Sequence, residues 1–236
     1  MSKLLVSVIS VDEAMLAMEC GADIIDIKNP AQGALGALPL SEVKNIVQAV
    51  NGNRLTSATI GDLDMQPESL MCAAERTAGT DVDIVKVGFF GLDNHSECIQ
   101  AMKPLAARGV HIMAVLFADQ EPDFGLLAGL HEAGFYGVML DTVKKDGGSL
   151  LDYMLLEDLQ CFVKAAQQHK LKSGLAGCLR LEHLPTLQLL NPDYLGFRGA
   201  LCTNFERKAA LSSHKLHKLH RVLHKSNRLI LDLAQV

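Results

Sequence analysis

Short apolar runs alternate with segments of helical periodicity along this chain, and that alternation constrains the fold more than any other feature. The runs cover residues 4–10, 24–28, 55–60, 83–89, 111–117, 137–142, 172–177 and 194–200. Between and after them, helices are predicted over 11–20, 41–50 (capped by Ser41), 67–78, 95–108, 124–133, 151–169, 182–190 and 208–228. Strands that each feed a helix and return the same way build a parallel sheet. Eight such units of about 30 residues approach the size of roughly 250 typical of a closed barrel. The predicted fold is α/β, a single (β/α)8 TIM barrel over residues 1–236, with no proline-rich linker to divide it. A hydrophobic fraction of 49% is ample for its core.

Bulk properties exclude several function classes. A formal net charge of −5 gives no electrostatic footprint for nucleic acid. No apolar run reaches the length of a membrane span. Lys3 precedes an apolar run, but Ser7 and Ser10 interrupt it and Asp12 and Glu13 follow, so no signal peptide is expected. The six cysteines are scattered without a CxxC pair, which predicts reduced thiols in the cytoplasm. No glycine-rich nucleotide fingerprint and no Ser-His-Asp pattern stands out.

Chemistry in such a barrel gathers at the carboxyl ends of the strands. Asp26 and Lys28, two apart on an isoleucine-rich strand, point to the same side, and Asn29-Pro30 ends that strand. Other strand ends add Asp62, Lys86, Asp141, Lys144 and Lys145. Lys86 interrupts an otherwise apolar strand, where a lysine is costly unless paired or neutral. Burial and neighbouring positive charge favour its uncharged form, the form that acts as nucleophile or base. The alternative is a structural bridge to Asp141 or Asp26. From the residues alone, Lys28 and Lys86 both stand as candidate nucleophiles.

A phosphate seat is expected after strands seven and eight. Gly174, Gly177, Gly196 and Gly199 let backbone amides approach an anion, and Arg198 either assists or pairs with a carboxylate. Gly177, Arg198 and Gly199 are the expected phosphate contacts. The glycine-rich stretch 32–39 is expected to be a loop, mobile over the site. His214, His217, His220 and His224 lie along the last helix beside Leu216, Leu219 and Leu223. With no carboxylate or cysteine partner nearby, they read as an amphipathic helix rather than a metal stripe. Neither metal nor cofactor is expected.

The segments LLVSVIS, GADIIDIKNPAQGALGA, SATIGD, IVKVGFFG, VMLDTVKKDG, LAGCLRLEHLP and GFRGALC extend from Leu4 to Cys202. In them the chain resembles the (5-formylfuran-3-yl)methyl phosphate synthases. That resemblance implies a lyase on a barrel related to class I aldolases. It would condense two glyceraldehyde 3-phosphate molecules into a furan phosphate with loss of phosphate and water, early in the synthesis of methanofuran-type C1 carriers. It implies Lys28 as the Schiff-base lysine and Lys86 as the proton acceptor, with Asp26, Asp141 and Lys145 completing the charged set. The family spacing selects Lys145 over Lys144. The expected partner is a small triose phosphate, with the chain forming a homo-oligomer. The stretch 203–207 (TNFER) departs from the glycine-rich basic run associated with bacterial members. Two rivals are another class I aldolase or isomerase of triose phosphates, and a non-catalytic barrel that binds a phosphorylated metabolite.

Overall fold

Eight parallel strands close into a barrel in sequence order: β1 (Lys3–Val8), β2 (Ile24–Ile27), β3 (Leu55–Thr59), β4 (Ile84–Gly88), β5 (His111–Phe117), β6 (Gly137–Asp141), β7 (Lys172–Leu175) and β8 (Tyr194–Phe197). β8 pairs back onto β1 with Leu5 opposite Gly196. The computed structural model describes residues 2–91, 93–145 and 147–233, with side chains through residue 223. Helices α1 (Val11–Glu19), α2 (Leu40–Val50), α3 (Pro67–Ala78), α4 (His95–Ala107), α5 (Leu126–Glu132), α6 (Leu150–Tyr153), α7 (Leu156–Gln168), α8 (Leu184–Leu189) and α9 (Ser213–Leu233) follow the strands in order.

Alternation along each strand divides the core in two. Leu4, Val6 and Val8 of β1, with Ile25 and Ile27 of β2, face outward and pack under helical residues such as Ile46, Leu70, Phe162 and Leu216. Leu5, Ile24, Ile84, Met113, Met139 and Tyr194 face inward and fill the barrel. Each such side chain contributes roughly 1.5–3 kcal/mol when fully buried. The next inward positions along β1, β2, β3 and β4 are Ser7, Asp26, Ser57 and Lys86, all buried. The barrel interior therefore turns from apolar to polar towards the carboxyl ends of its strands.

The glycine-rich stretch after β2 is a plug, in contrast to the mobile cover expected. Asp62 accepts hydrogen bonds from the amides of Ala34 (2.8 Å) and Leu35 (2.6 Å). Thr59 Oγ1 donates to the Gly36 carbonyl at 3.1 Å. Leu35 is fully buried in the inner core beside Phe90, which stacks on Phe117 with ring centroids 4.4 Å apart. Gly88 makes room, because a Cβ there would lie 2.8 Å from Leu35 Cδ1. These side chains close the β4–β5 side of the mouth and leave the polar side open.

Several helix boundaries differ from expectation. The span 151–169 is two helices, since Met154 and Leu155 are extended between α6 and α7. Its first turn is fixed from outside, by a bond from the Leu150 amide to the Gly177 carbonyl at 2.9 Å and by a capping box of Ser149 and Asp152. Ser41 does not cap α2, which starts one residue earlier behind Pro39. The span 182–190 splits into a 3-10 turn, Leu181–His183, and α8. The last helix begins at Ser213 rather than 208, because Cys202 pairs with Leu211 and holds the intervening residues as a loop.

Candidate active site

Asp26 is the hub of the barrel mouth. Its carboxylate is wholly buried and accepts from Ser7 Oγ (2.8 Å), Ser57 Oγ (2.7 Å) and Lys86 Nζ (2.9 Å). β1, β2, β3 and β4 each contribute one of these four side chains, which alternation turns inward at adjacent registers. Burial alone would raise the pKa of Asp26, but the Lys86 and Lys28 charges and the Ser57 hydroxyl outweigh it and hold the group below the usual carboxylate value. For Lys86 the balance runs the other way. Burial lowers its pKa and the Lys28 charge adds to that, with Asp26 opposing both.

Asp141, at the end of β6, forms a second centre. Lys145 Nζ donates to its Oδ1 at 2.6 Å, and the Thr142 amide to the same oxygen at 2.8 Å. Its pKa too is lowered, as Lys145 and Lys28 overcome the effect of burial. Lys28 stands between the two carboxylates, with Nζ 4.0 Å from Asp26 Oδ2 and 3.6 Å from Asp141 Oδ2. Lys144, one residue before Lys145, is exposed, and its backbone amide is held by Asp119 at 2.8 Å. Geometry thus separates the two neighbouring lysines: Lys145 enters the cluster and Lys144 does not.

Asp26, Lys28, Lys86, Asp141 and Lys145 line one cavity of about 670 Å³, bounded further by the loops after β7 and β8. Asp62 is absent from this lining and serves the plug instead. Gly177 and Gly199 are on the cavity wall. At Gly177, φ is +99°, and a Cβ would lie 2.9 Å from Thr142 Cγ2, so the position requires glycine. Among the described residues, the amides of Gly177, Cys178 and Leu179 have no protein acceptor.

Arg198 also lines the cavity, but its guanidinium is engaged elsewhere. It forms an ion pair with buried Glu13, and it donates to the carbonyls of Ser7 (3.0 Å), Arg207 (2.9 Å) and Ala209 (3.1 Å). Of the two expectations for Arg198, carboxylate pairing is the one realised, with a partner on α1 that spacing along β8 does not reveal. A fully bonded guanidinium has little left to offer an anion.

Sequence reasoning missed three contributors. Ser7 and Ser57 hold Asp26; their only signal was a small hydroxyl at an inward position of an apolar strand. Arg207, in the stretch 203–207, reaches the cavity and donates from Nη2 to the Gly33 carbonyl at 2.9 Å. Of the four histidines, His214 lies at the cavity rim, His217 Nε2 is 3.6 Å from Cys20 Sγ, and His220 packs over Gly21. The side chain of His224 lies outside the described residues. No group of three metal-ligating side chains converges among the described residues.

Comparison with known proteins identifies the family and the fold. The family described as 4-HFC-P synthase matches residues 4–220. A Methylorubrum extorquens protein, provisionally named (5-formylfuran-3-yl)methyl phosphate synthase, is 41% identical over 215 residues, 91% of this chain and 88% of that protein. The (5-formylfuran-3-yl)methyl phosphate synthase of Methanothermobacter thermautotrophicus is 36% identical over 222 residues, covering 86% of this chain and 91% of its own. Among solved structures, 3-hexulose-6-phosphate synthase from Salmonella typhimurium aligns with a TM-score of 0.68 at 19% identity, over 95% of this chain and 99% of that one. Phosphoribosyl anthranilate isomerase from Thermus thermophilus aligns at 0.67 and 15% identity, over 94% and 98%. At such identities the structural likeness speaks to the barrel fold alone.

Proposed function

This chain belongs to the 4-HFC-P synthase family, and we propose that it joins two molecules of glyceraldehyde 3-phosphate into (5-formylfuran-3-yl)methyl phosphate, with loss of phosphate and water. The observation that carries the proposal is the unequal placement of the two inward lysines. Lys28 Nζ faces the cavity with carboxylates at 3.6 and 4.0 Å, beyond hydrogen-bonding distance. Lys86 is only 2% exposed and bonded to Asp26. An amine that must form a bond to carbon needs space around it, whereas a base needs only to reach one proton.

Lys28 is therefore the Schiff-base lysine. Its amine adds to the aldehyde carbon, and loss of water leaves an iminium that withdraws electrons from the neighbouring carbon. Lys86, favoured in its neutral form by burial, takes the proton released there. The resulting enamine expels the phosphate from its own third carbon, and the second molecule, deprotonated beside its aldehyde, forms the carbon–carbon bond to that third carbon. Water returns Lys28 to its free amine, the hydroxyl beside the freed aldehyde closes the ring onto the second molecule's aldehyde, and dehydration leaves the furan. Asp26 and Asp141 orient the amines and carry protons, and Lys145 offsets charge developing on the leaving oxygens.

A biosynthetic role in methanofuran-type C1 carriers follows from this product. All six cysteines are free thiols, which fits a cytoplasmic setting. The family resemblance adds a homo-oligomeric state, which sedimentation of the intact chain tests. The chemistry is tested by incubation with glyceraldehyde 3-phosphate, borohydride quenching and peptide mass spectrometry, with phosphate release and near-ultraviolet absorbance followed in parallel. A reduced adduct on the Lys28 peptide, with phosphate and a furan-aldehyde band, is the expected result. An adduct on Lys86 would reverse the lysine roles. No adduct and no phosphate would overturn the reading.

A further inference from the structure

A phosphate entering this cavity meets a cluster that is close to neutral, because Lys28, Lys86 and Lys145 face Asp26 and Asp141. Two of the cavity's other cations are committed, and Arg180 and Lys218 are exposed. Arg198 is consumed by Glu13 and three carbonyls, and Lys215 Nζ bonds the Cys202 carbonyl at 2.6 Å beneath the Phe205 ring. Arg207 is different. It is half-buried on the cavity wall, spends Nη2 on the Gly33 carbonyl, and has no carboxylate partner among the described residues. Its remaining N–H groups have no protein acceptor there, and it lies near enough to Asp141 for that charge to act on it. The unpaired amides of Gly177, Cys178 and Leu179 line the same cavity. Arg198 fixes the backbone that carries this side chain, through its bonds to the carbonyls of Arg207 and Ala209.

We propose that Arg207 is the side chain that recognises the substrate phosphate, with the amides after β7 as its backbone counterpart and Arg198 as the positioning residue that aims it. A guanidinium with several unspent N–H groups suits a multi-oxygen anion better than a single lysine does. The inference rests on the reading that the substrate is a phosphorylated aldehyde, and it assigns the phosphate to a loop where sequence reasoning favoured Arg198.

The test uses the intact chain, Arg207→Gln and Arg207→Lys, each first shown to melt near the parent temperature. Calorimetric titration with inorganic phosphate reads the site without turnover. Arg207→Gln is expected to weaken phosphate binding about tenfold or more, with Arg207→Lys between the two. KM for glyceraldehyde 3-phosphate should rise by a similar factor, while borohydride trapping of unphosphorylated glyceraldehyde on Lys28 stays within about twofold of the parent. Equal phosphate binding by parent and Arg207→Gln would overturn the inference, as would parallel loss of trapping for both aldehydes. Arg207-dependent phosphate binding with no aldehyde trapped on any lysine would leave the inference standing and sink the Schiff-base reading instead.

Discussion

Lys86 Nζ stands 2.9 Å from Asp26 Oδ1, with the lysine side chain 2% exposed and the carboxylate fully buried. A pair so enclosed is more costly to break than to replace, because a lone charge remains without water. Asp26→Asn should destabilise the fold by about 3–5 kcal/mol near neutral pH. Asp26→Asn combined with Lys86→Met should recover much of that loss. Urea unfolding of the three variants measures it; a double variant no more stable than Asp26→Asn would contradict the account. With a pKa already below the ordinary 10.5, Lys86 can shed its proton in the folded state, so the penalty in Asp26→Asn should shrink as pH rises towards that value.

The two lysines should fail in different ways. Lys28→Ala should abolish the borohydride-trapped adduct while leaving the melting temperature nearly unchanged, since Asp26 keeps Lys86 and Asp141 keeps Lys145. Lys86→Met should lower turnover by about 10²–10⁴ yet still trap aldehyde on Lys28. Loss of trapping in Lys86→Met with retention in Lys28→Ala would exchange their roles.

Turnover should rise with pH along a limb whose midpoint lies below 10.5, as Lys86 becomes neutral. Burial sets that direction, and Asp26 opposes it. A pH–rate profile showing a falling limb over the same range would exclude Lys86 as the base.

Acid should unfold the protein through its carboxylates. The pKa of Asp141 is below its ordinary 3.8 in the folded state, so the stability it contributes is complete above that value and lost as pH falls through the lowered one. Unfolding free energies measured from pH 6 downward should drop in acid, and Asp141→Asn should flatten that drop. An identical slope in the variant would remove Asp141 from the explanation.

Asp62 acts away from the chemistry but shapes its entrance. Asp62→Ala leaves the amides of Ala34 and Leu35 without their acceptor, a loss of about 1–3 kcal/mol. Limited proteolysis should then cut the 29–39 segment faster than in the parent. Unchanged protection would mean that Leu35 and Phe90 hold the plug by packing alone.

Much of this arrangement was legible in the residues. Isoleucine-rich and valine-rich runs at regular spacing announced a parallel barrel, and the period of two placed Asp26 beside Lys28 on one side of their strand. A lysine within Ile84-Val85-Lys86-Val87 signalled a buried charge with a partner, although Asp141 and Asp26 were equally open as that partner. Helix ends were less legible. Met154 and Leu155 carry no glycine or proline, so nothing local announced the break between α6 and α7. The loop after β7 instead anchors the start of α6, where the Leu150 amide donates to the Gly177 carbonyl.

The sequence by itself determined the barrel and the inward set of charged side chains. Both follow from local periodicity, which a linear chain carries intact, whereas only the family resemblance selected Lys145 over Lys144. Only the tertiary structure decided how those charges pair: Lys86 with Asp26, Lys145 with Asp141, and Lys28 between two carboxylates. It also directed Arg198 to Glu13, and it brought Arg207 to the cavity from a loop with no regular period. Lys145 and Asp141 are only four positions apart, but Lys86 lies 60 positions from Asp26 and Arg198 lies 185 from Glu13. Such long-range pairings depend on distances that exist only once all eight strands are in register.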